Sequence, residues 1–284
     1  MKPFVSFIIT YHNEPEALLR ACLESVRALC LAVDEAEIIV VDDGSEVRPE
    51  GDFVYVHQEQ AGLSVARNTG LSRAQGQYVQ FVDADDCLIP SVYKSVLEQL
   101  REEKPDLLLF KMSNINNVCE KRPVPRKSSG VDFLQNHNLR ASACAYVFRR
   151  EILGDLRFQP GLLHEDELFT PQLFLRAKTL LEYDVKAYFY RQHSGTITSS
   201  KSQEKTQKRL NDIHFILSEL KSFDEPKLER RIRQLTVDYL QKILTLTHSF
   251  KELRKRMKEL REEGLLPLPV RRYSLRYFLA SLVA

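Results

Sequence analysis

The sequence predicts an α/β protein with a mostly parallel central sheet flanked by helices, followed by a helical carboxyl-terminal extension. Over residues 4–82, short apolar, β-branched runs alternate with amphipathic helical patterns, as expected for a doubly wound parallel sheet. Two of these runs lead directly into clusters of carboxylates, and ligands bind at that end of the strands in such folds. From residue 201 onward, apolar residues recur only every three or four positions, which indicates helices.

The amino-terminal half contains four predicted strands, at residues 4–10, 37–41, 53–57 and 78–82. A first helix follows Pro15, with Asn13 as the predicted N-cap and an apolar face formed by Leu18, Leu19, Cys22, Val26 and Leu29. A second helix is predicted over residues 62–74, where small and apolar residues recur at helical spacing.

The following elements are predicted in chain order: a helix at 92–102 and strands at 106–110 and 142–149, then a helix at 167–177 and an extended segment at 180–190. The polar, proline-containing segment 112–130 is interpreted as a loop with one short strand, and as a candidate mobile element over a site. Residues 191–200 are small and polar and are predicted to end the globular domain. The predicted domains are therefore 1–200, an α/β unit, and 201–284, a basic helical extension.

Charge is distributed unevenly along the chain, although the net charge of the 284 residues is only +2. Residues 201–284 contain 19 Lys/Arg and 11 Asp/Glu, a local charge of +8, whereas residues 1–200 contain 22 and 28, a local charge of −6. A basic tail suggests a partner of opposite charge, either nucleic acid or an anionic membrane surface. Nucleic acid is disfavoured, since no aromatic and basic recognition motif accompanies the charge.

The five cysteines are scattered and form no C-x-x-C pair, which argues against a disulfide framework or a zinc site. The first apolar run is too short for a signal peptide, and no run approaches the roughly 20 residues of a membrane-spanning helix. We therefore expect a cytoplasmic protein, with any membrane contact peripheral.

Asp83 and Asp85 follow the strand at 78–82. In extended backbone they would project to the same side, and two such carboxylates can share Mn²⁺ or Mg²⁺ together with substrate phosphates. The alternative is that Asp86 caps the helix near Pro90 and the other two are solvated loop residues.

Asp42 and Asp43 follow the strand at 37–41, where a carboxylate can accept hydrogen bonds from a ribose or a base. D-D-G-S is also an ordinary turn sequence, so this signal alone is weak. A dinucleotide fold and a P-loop are disfavoured because neither glycine motif is present. Arg67, in the second turn of a helix that starts at a glycine, could bring a guanidinium to a diphosphate, or could pair with an acid.

Taken together, these residues resemble family 2 of the inverting nucleotide-sugar glycosyltransferases, which have the GT-A fold. The resemblance covers roughly residues 4–200 and is carried, in order, by FIITYHNE, VVDDGS, GLSVARNTGL, VQFVDADD, HEDELF and YRQHSGTITS. It implies that Asp42 or Asp43 holds the nucleoside, and that Asp83 and Asp85 form a D-x-D motif that contacts ribose and the Mn²⁺ or Mg²⁺ on the donor diphosphate. The sequence departs from the family pattern at Glu46-Val47, where Thr-Asp is common, which makes nucleoside contacts there less certain.

The resemblance also implies that Asp166 is the general base that takes the acceptor hydroxyl's proton, with Glu165 as its rival. The alternative for Asp166 is a helix-capping carboxylate. Arg191 and His193 are expected to contact the donor phosphates or the metal ion. Thr10 and His12, at the end of the first strand, are expected to border the nucleotide pocket.

The expected reaction is transfer of a sugar from a nucleotide-diphosphate donor, with UDP the favoured nucleotide, to a hydroxyl of a glycan or lipid-linked acceptor in bacterial surface-polysaccharide synthesis. Two alternatives are a nucleotidyltransferase and a catalytically inactive, membrane-docked binding module. Residues 265–284 combine arginines, aromatics and a narrow apolar face, which is typical of an interfacial helix on the inner membrane leaflet.

Overall fold

The computed structural model describes residues 2–115, 123–192, 202–271, 273 and 275–281. The strands are β1 (Val5–Tyr11), β2 (Ala36–Asp43), β3 (Val54–Gln58), β4 (Tyr78–Asp83), β5 (Cys87–Leu88), β6 (Leu107–Ser113), β7 (Arg126–Ser128), β8 (Tyr146–Arg149) and β9 (Leu180–Phe189). The helices are α1 (Glu16–Arg27), α2 (Leu63–Arg73), α3 (Pro90–Glu103), α4 (Gly130–Asn136), α5 (Asp166–Arg176), α6 (Gln203–Ser222), α7 (Glu229–Thr247), α8 (Phe250–Glu262) and α9 (Leu275–Ser281).

The strands form one mixed sheet in the order β3-β2-β1-β4-β8-β6-β9-β5, with β7 paired to β9. Strands β1 to β4 are mutually parallel, as are β6 and β9, whereas β8 lies antiparallel between β4 and β6. Every residue of β1 is buried, as expected for a central strand covered by helices on both faces. The predicted α/β class with flanking helices is confirmed, while the two-residue strand β5 was missed because it is too short to show periodicity.

The strand register positions the site. Thr10 lies opposite Val41 on one side and Asp83 on the other, and Tyr11 lies opposite Asp42. Because β1, β2 and β4 are parallel, their carboxyl ends meet at one edge of the sheet. The acidic residues that follow β2 and β4 are thereby brought together.

One local prediction is wrong, and another, the short strand within segment 112–130, is confirmed. Asn13 is not the N-cap of α1; it adopts a φ of 60°, its side chain accepts a hydrogen bond from the Glu46 N–H, and Pro15 precedes the helix. Segment 112–130 contains the short strand β7, and Ser129 caps α4 by accepting a hydrogen bond from the Asp132 N–H. Residues 116–122 of the expected mobile element lie outside the described residues.

Helices α6 and α7 pack together and against the α4 and α5 region, and their apolar faces join the sheet's hydrophobic core. The Leu163 N–H donates to Asp212 of α6 over 2.8 Å, and the Lys208 ammonium donates to the Gly161 carbonyl over 2.7 Å. Buried Arg231 of α7 donates to the Leu139 carbonyl over 2.9 Å. The predicted boundary near residue 200 lies outside the described residues, so the two-domain division stays a prediction.

The described part of segment 265–284 has both buried and exposed side chains, with Val270 58% exposed. Its buried apolar side chains are Leu265, Leu266, Leu268 and Tyr277. These residues are therefore not available to insert into a lipid surface, and the predicted membrane contact stays a prediction. Within the described ranges, no helix combines the length and apolar character needed to cross a membrane.

Candidate active site

Asp43 organises the loop that starts α2. Its buried carboxylate accepts hydrogen bonds from the Gln58 amide and from the N–H groups of Ala61 and Gly62, over 2.7, 2.8 and 2.8 Å. Gly62 has a φ of +90°, a conformation that suits glycine. His12 joins the same loop, with its Nδ1 2.8 Å from the Asp43 carbonyl oxygen. Asp43 thus fixes the direction in which α2 enters the site.

Asp42 is buried near the end of β2. Its carboxylate accepts hydrogen bonds from the Ser45 N–H over 2.8 Å and from the Tyr55 hydroxyl over 2.7 Å, and His57 Nδ1 lies 3.5 Å away. Burial raises the pKa of Asp42, but the hydrogen bonds from Ser45 and Tyr55 outweigh it and lower the pKa below its usual range. Both Asp42 and Asp43 already accept bonds from their own chain, so nucleoside contact by either stays a prediction.

Arg67 occupies the centre of the site. It is 3% exposed, and its guanidinium forms an ion pair with Glu165 and donates to Asp83 over 3.1 Å. The rings of Phe81 and Phe158 lie 5.7 and 5.4 Å from it. Burial opposes the charged form, but the charges of Asp83 and Glu165 raise the pKa of Arg67 further, so it is a fixed cation. Contact with a diphosphate would require opening one of these ion pairs, and that contact stays a prediction.

The D-x-D segment is not extended, contrary to the sequence argument. The chain turns at Ala84 and Asp85, and the Asp86 N–H donates to the Asp83 carbonyl over 3.0 Å. Asp83 and Asp85 therefore share the sheet edge because of a turn, not because of strand alternation. Glu14, which the sequence analysis did not assign, lies close enough to Asp85 for that charge to raise its pKa, after the larger effect of burial.

Asp86 does not cap α3, whose preceding residue is Ile89. Its carboxylate accepts hydrogen bonds from the Tyr188 hydroxyl and the Arg191 N–H, each over 2.8 Å. The Arg191 side chain in turn donates through Nε to the Asp85 carbonyl over 2.9 Å. The structure thus brings predicted residue Arg191 to the D-x-D turn. His193 lies outside the described residues.

Glu165 and Asp166, at the start of α5, join the site through the ion pair between Glu165 and Arg67. Asp166 is the first residue of α5, and neither carboxylate caps the helix. Burial raises the pKa of Asp166 to about 7, helped by the charge of Glu165 and opposed by Arg67. Glu165 is buried and held by Arg67. The arrangement places Glu165, which is engaged by Arg67, beside Asp166, whose raised pKa allows proton exchange near neutral pH.

Cavity volume is a poor guide to the position of this site. A cavity of about 840 Å³ lies at the opposite edge of the sheet, beside Phe4, Gln77 and Arg149. Tyr188, whose hydroxyl also accepts a hydrogen bond from the Asp83 N–H over 3.1 Å, was likewise missed. A tyrosine within an aromatic strand carries no signal of such a contact.

Comparison with known proteins identifies the class of fold and then the family. Solved structures of the same architecture include TarS 1-349 in complex with UDP-GlcNAc, with a TM-score of 0.70, 20% identity, and coverage of 94% of this chain and 82% of that one. This likeness confirms the expected GT-A fold. Another is the mannosyltransferase PcManGT from Pyrobaculum calidifontis in complex with GDP-Man and Mn²⁺, with a TM-score of 0.60, 15% identity, and coverage of 100% and 87%.

Residues 6–157, more than half of the chain, match the family described as Glycosyl transferase family 2, and the protein belongs to that family. Glycosyltransferase GlyA of Streptococcus pneumoniae serotype 4 is 26% identical over 220 residues, which are 68% of this chain and 31% of GlyA. TarS of Staphylococcus aureus (strain Mu50), a poly(ribitol-phosphate) beta-N-acetylglucosaminyltransferase, is 27% identical over 210 residues, 67% of this chain and 35% of TarS. The chain spans about a third of the length of these two relatives.

Proposed function

We propose that the protein is an inverting, metal-dependent glycosyltransferase that moves a sugar from a UDP-sugar to a hydroxyl of a glycan or lipid-linked acceptor in surface-polysaccharide synthesis. The observation that carries this proposal is the Arg67 cluster. One buried guanidinium joins Asp83 of the D-x-D turn to Glu165, next to Asp166. Donor-binding and proton-accepting groups are thereby held in one rigid unit.

Asp166, not Glu165, is the proposed general base. Glu165 is engaged by Arg67 and would have to break a buried ion pair to take a proton. Asp166 has a pKa raised to about 7, close to the value at which a base both accepts a proton readily and is substantially ionised at neutral pH. It would remove the proton of the acceptor hydroxyl as that oxygen attacks the anomeric carbon. Inversion follows because attack and departure occur on opposite faces of the sugar.

The residues at the D-x-D turn fit a hard divalent cation. Asp83 is about one-third exposed at its side chain and Asp85 lies in the turn two residues later, so both offer oxygen ligands at the sheet edge. Among the described residues, no group of three or more His, Cys, Asp or Glu is placed to hold a metal ion, so the protein itself offers only this pair. Such an open pair suits Mn²⁺ or Mg²⁺ held jointly by protein and diphosphate, and a bound cation would neutralise charge on the departing nucleotide.

Arg191 is proposed to bind the same diphosphate. Its Nε is fixed on the Asp85 carbonyl, and the guanidinium lies 5.2 Å from the Phe189 ring centroid. A guanidinium held in this way can donate to phosphate oxygens without further ordering.

The donor and the acceptor are proposed from relatives. TarS was solved with UDP-GlcNAc and PcManGT with GDP-Man. TarS is named for action on poly(ribitol-phosphate), and a further relative, GgaB of Bacillus subtilis (strain 168), for minor teichoic acid biosynthesis. We favour UDP and a cell-surface glycan on this basis.

The test is release of nucleotide from a panel of UDP-sugars and GDP-sugars, with Mn²⁺ and a mixture of cell-wall glycans as acceptors. We expect turnover with at least one donor and its loss in Asp166→Asn. Asp34→Asn, an exposed acid far from the site, is the matched control. Turnover unchanged in Asp166→Asn would contradict the proposed base, and no turnover of any donor would contradict the function.

A further inference from the structure

A second recess lies behind the candidate base, where α5 meets the carboxyl-terminal helices. Its volume is about 270 Å³, close to the lower end of small-molecule sites, which begin at roughly 300 Å³. Glu167 of α5, Ile213 of α6, Lys242 and Thr245 of α7, and Arg276 near the carboxyl terminus line it. Residues of the carboxyl-terminal extension thus form most of the lining of this recess. The remaining lining residue, Glu167, directly follows Asp166 in the chain.

The acids in this recess already have partners. Glu167 forms an ion pair with buried Arg231, and Asp238 forms one with Arg276 over 2.7 Å. Lys242 differs, because within the described ranges its ammonium makes neither a hydrogen bond nor an ion pair. Lys242 is half-buried and lines the recess, so it presents there a positive group that forms no ion pair with the described residues.

Lys242 is close enough to Asp166 for the charge of that carboxylate to affect its pKa. Burial lowers its pKa and so does the charge of Arg209, whereas Asp238 and Asp166 act in the opposite direction. His164 does not line the recess; its buried Nε2 has no hydrogen-bond partner among the described residues, and its backbone is held at a φ of 65°. Burial lowers the pKa of His164 to about 4, and Lys242 and Arg209 lower it further, so the imidazole is neutral.

We propose that this recess is the anion-binding part of the acceptor site. An oxyanion on the acceptor, a phosphate or a sugar carboxylate, pairs with the Lys242 ammonium, and the hydroxyl next to it is delivered to Asp166. The acceptor is therefore an anionic glycan or polyol phosphate rather than a neutral one. This inference rests on the proposed function, since that proposal is what makes Asp166 the general base.

The test is a calorimetric titration of the full chain with sn-glycerol 3-phosphate, glyceric acid and glycerol. Excess UDP and Mn²⁺ are present throughout, so that phosphate does not bind at the donor site. We expect saturable binding of at least one of the two anions and none of glycerol. The anion that binds more tightly shows whether the recess prefers a phosphate or a carboxylate. Lys242→Gln should weaken binding at least fivefold, and Lys242→Arg should restore it to within twofold.

Lys258→Gln is the matched control, since Lys258 is 79% exposed on α8 of the same extension. Thermal unfolding of each variant separates loss of the fold from loss of the site. Absence of saturable anion binding, or equal binding by Lys242→Gln and the wild type, would overturn the proposal. A UDP titration keeps the two claims distinct: failure of UDP to bind counts against the proposed function, whereas Lys242-dependent anion binding supports the recess in either case.

Discussion

Replacement of Arg67 by methionine is the most informative perturbation of the structure. The guanidinium is the shared cation of Glu165 and Asp83, and it also lowers the pKa of Asp166. Removing one partner of a buried ion pair typically costs about 3–5 kcal/mol. Since Asp83 is about one-third exposed and water can solvate it, we expect the lower end, roughly 3 kcal/mol. For a chain of this length each kcal/mol lowers Tm by about 2 °C, so the expected fall is roughly 6 °C.

Scanning calorimetry at pH 8 and pH 5 is the assay. The folded-state pKa of Asp166 is already raised above its unfolded value, and loss of Arg67 removes a charge that opposes this, so it rises further. A carboxyl group with a raised folded pKa favours the folded state at low pH and loses that contribution as pH rises through the folded value. The destabilisation should therefore be larger at pH 8 than at pH 5. Arg73→Met, at the exposed end of the same helix, should change Tm by less than about 1 °C. A Tm for Arg67→Met within about 2 °C of wild type at both pH values would refute the reasoning.

Three further outcomes are expected. The value of kcat/KM should rise with pH through about 7, because Asp166 must lose its proton to act, and Asp166→Asn should lower it by roughly 10²–10⁴; a pH-independent profile would argue against Asp166 as the base. Glu165→Gln should raise KM or lower Tm but retain measurable turnover, since the proposed role of Glu165 is to hold Arg67 and not to accept the proton. Complete inactivity of a folded variant would reverse the roles assigned to Glu165 and Asp166. Asp43→Ala should destabilise the protein by about 2–3 kcal/mol in denaturant titrations because two backbone N–H groups lose their acceptor, and an unchanged midpoint would contradict this.

Much of the sheet could be predicted because buried parallel strands have a strong local signature. Residues 4–10, 37–41 and 78–82 are apolar runs that end in polar residues, and each matches a strand to within one or two positions. The antiparallel insertion of β8 between β4 and β6 could not be predicted, since pairing partners separated by dozens of residues leave no periodic pattern.

The candidate site could be predicted in its members but not in its arrangement. Asp83 and Asp85 were placed together for the wrong reason, because the turn at Ala84 depends on a backbone hydrogen bond rather than on strand alternation. The pairing of Arg67 with Glu165 joins residues 98 positions apart, and only the packing of α2 against the start of α5 reveals it. Glu14 was missed for the same reason. It follows β1, whereas Asp85, whose charge raises its pKa, follows β4.

The most direct test of nucleotide-sugar transfer at the D-x-D edge is calorimetric titration of UDP into the protein, first with Mn²⁺ and then with EDTA. The comparison uses wild type and Asp85→Ala. We expect saturable binding with Mn²⁺ that is at least tenfold weaker with EDTA and at least tenfold weaker in Asp85→Ala. Binding that is equal with EDTA, unchanged in Asp85→Ala, or absent for UDP, GDP and CDP alike would mean that the carboxylate cluster is structural and that the proposed donor site is wrong.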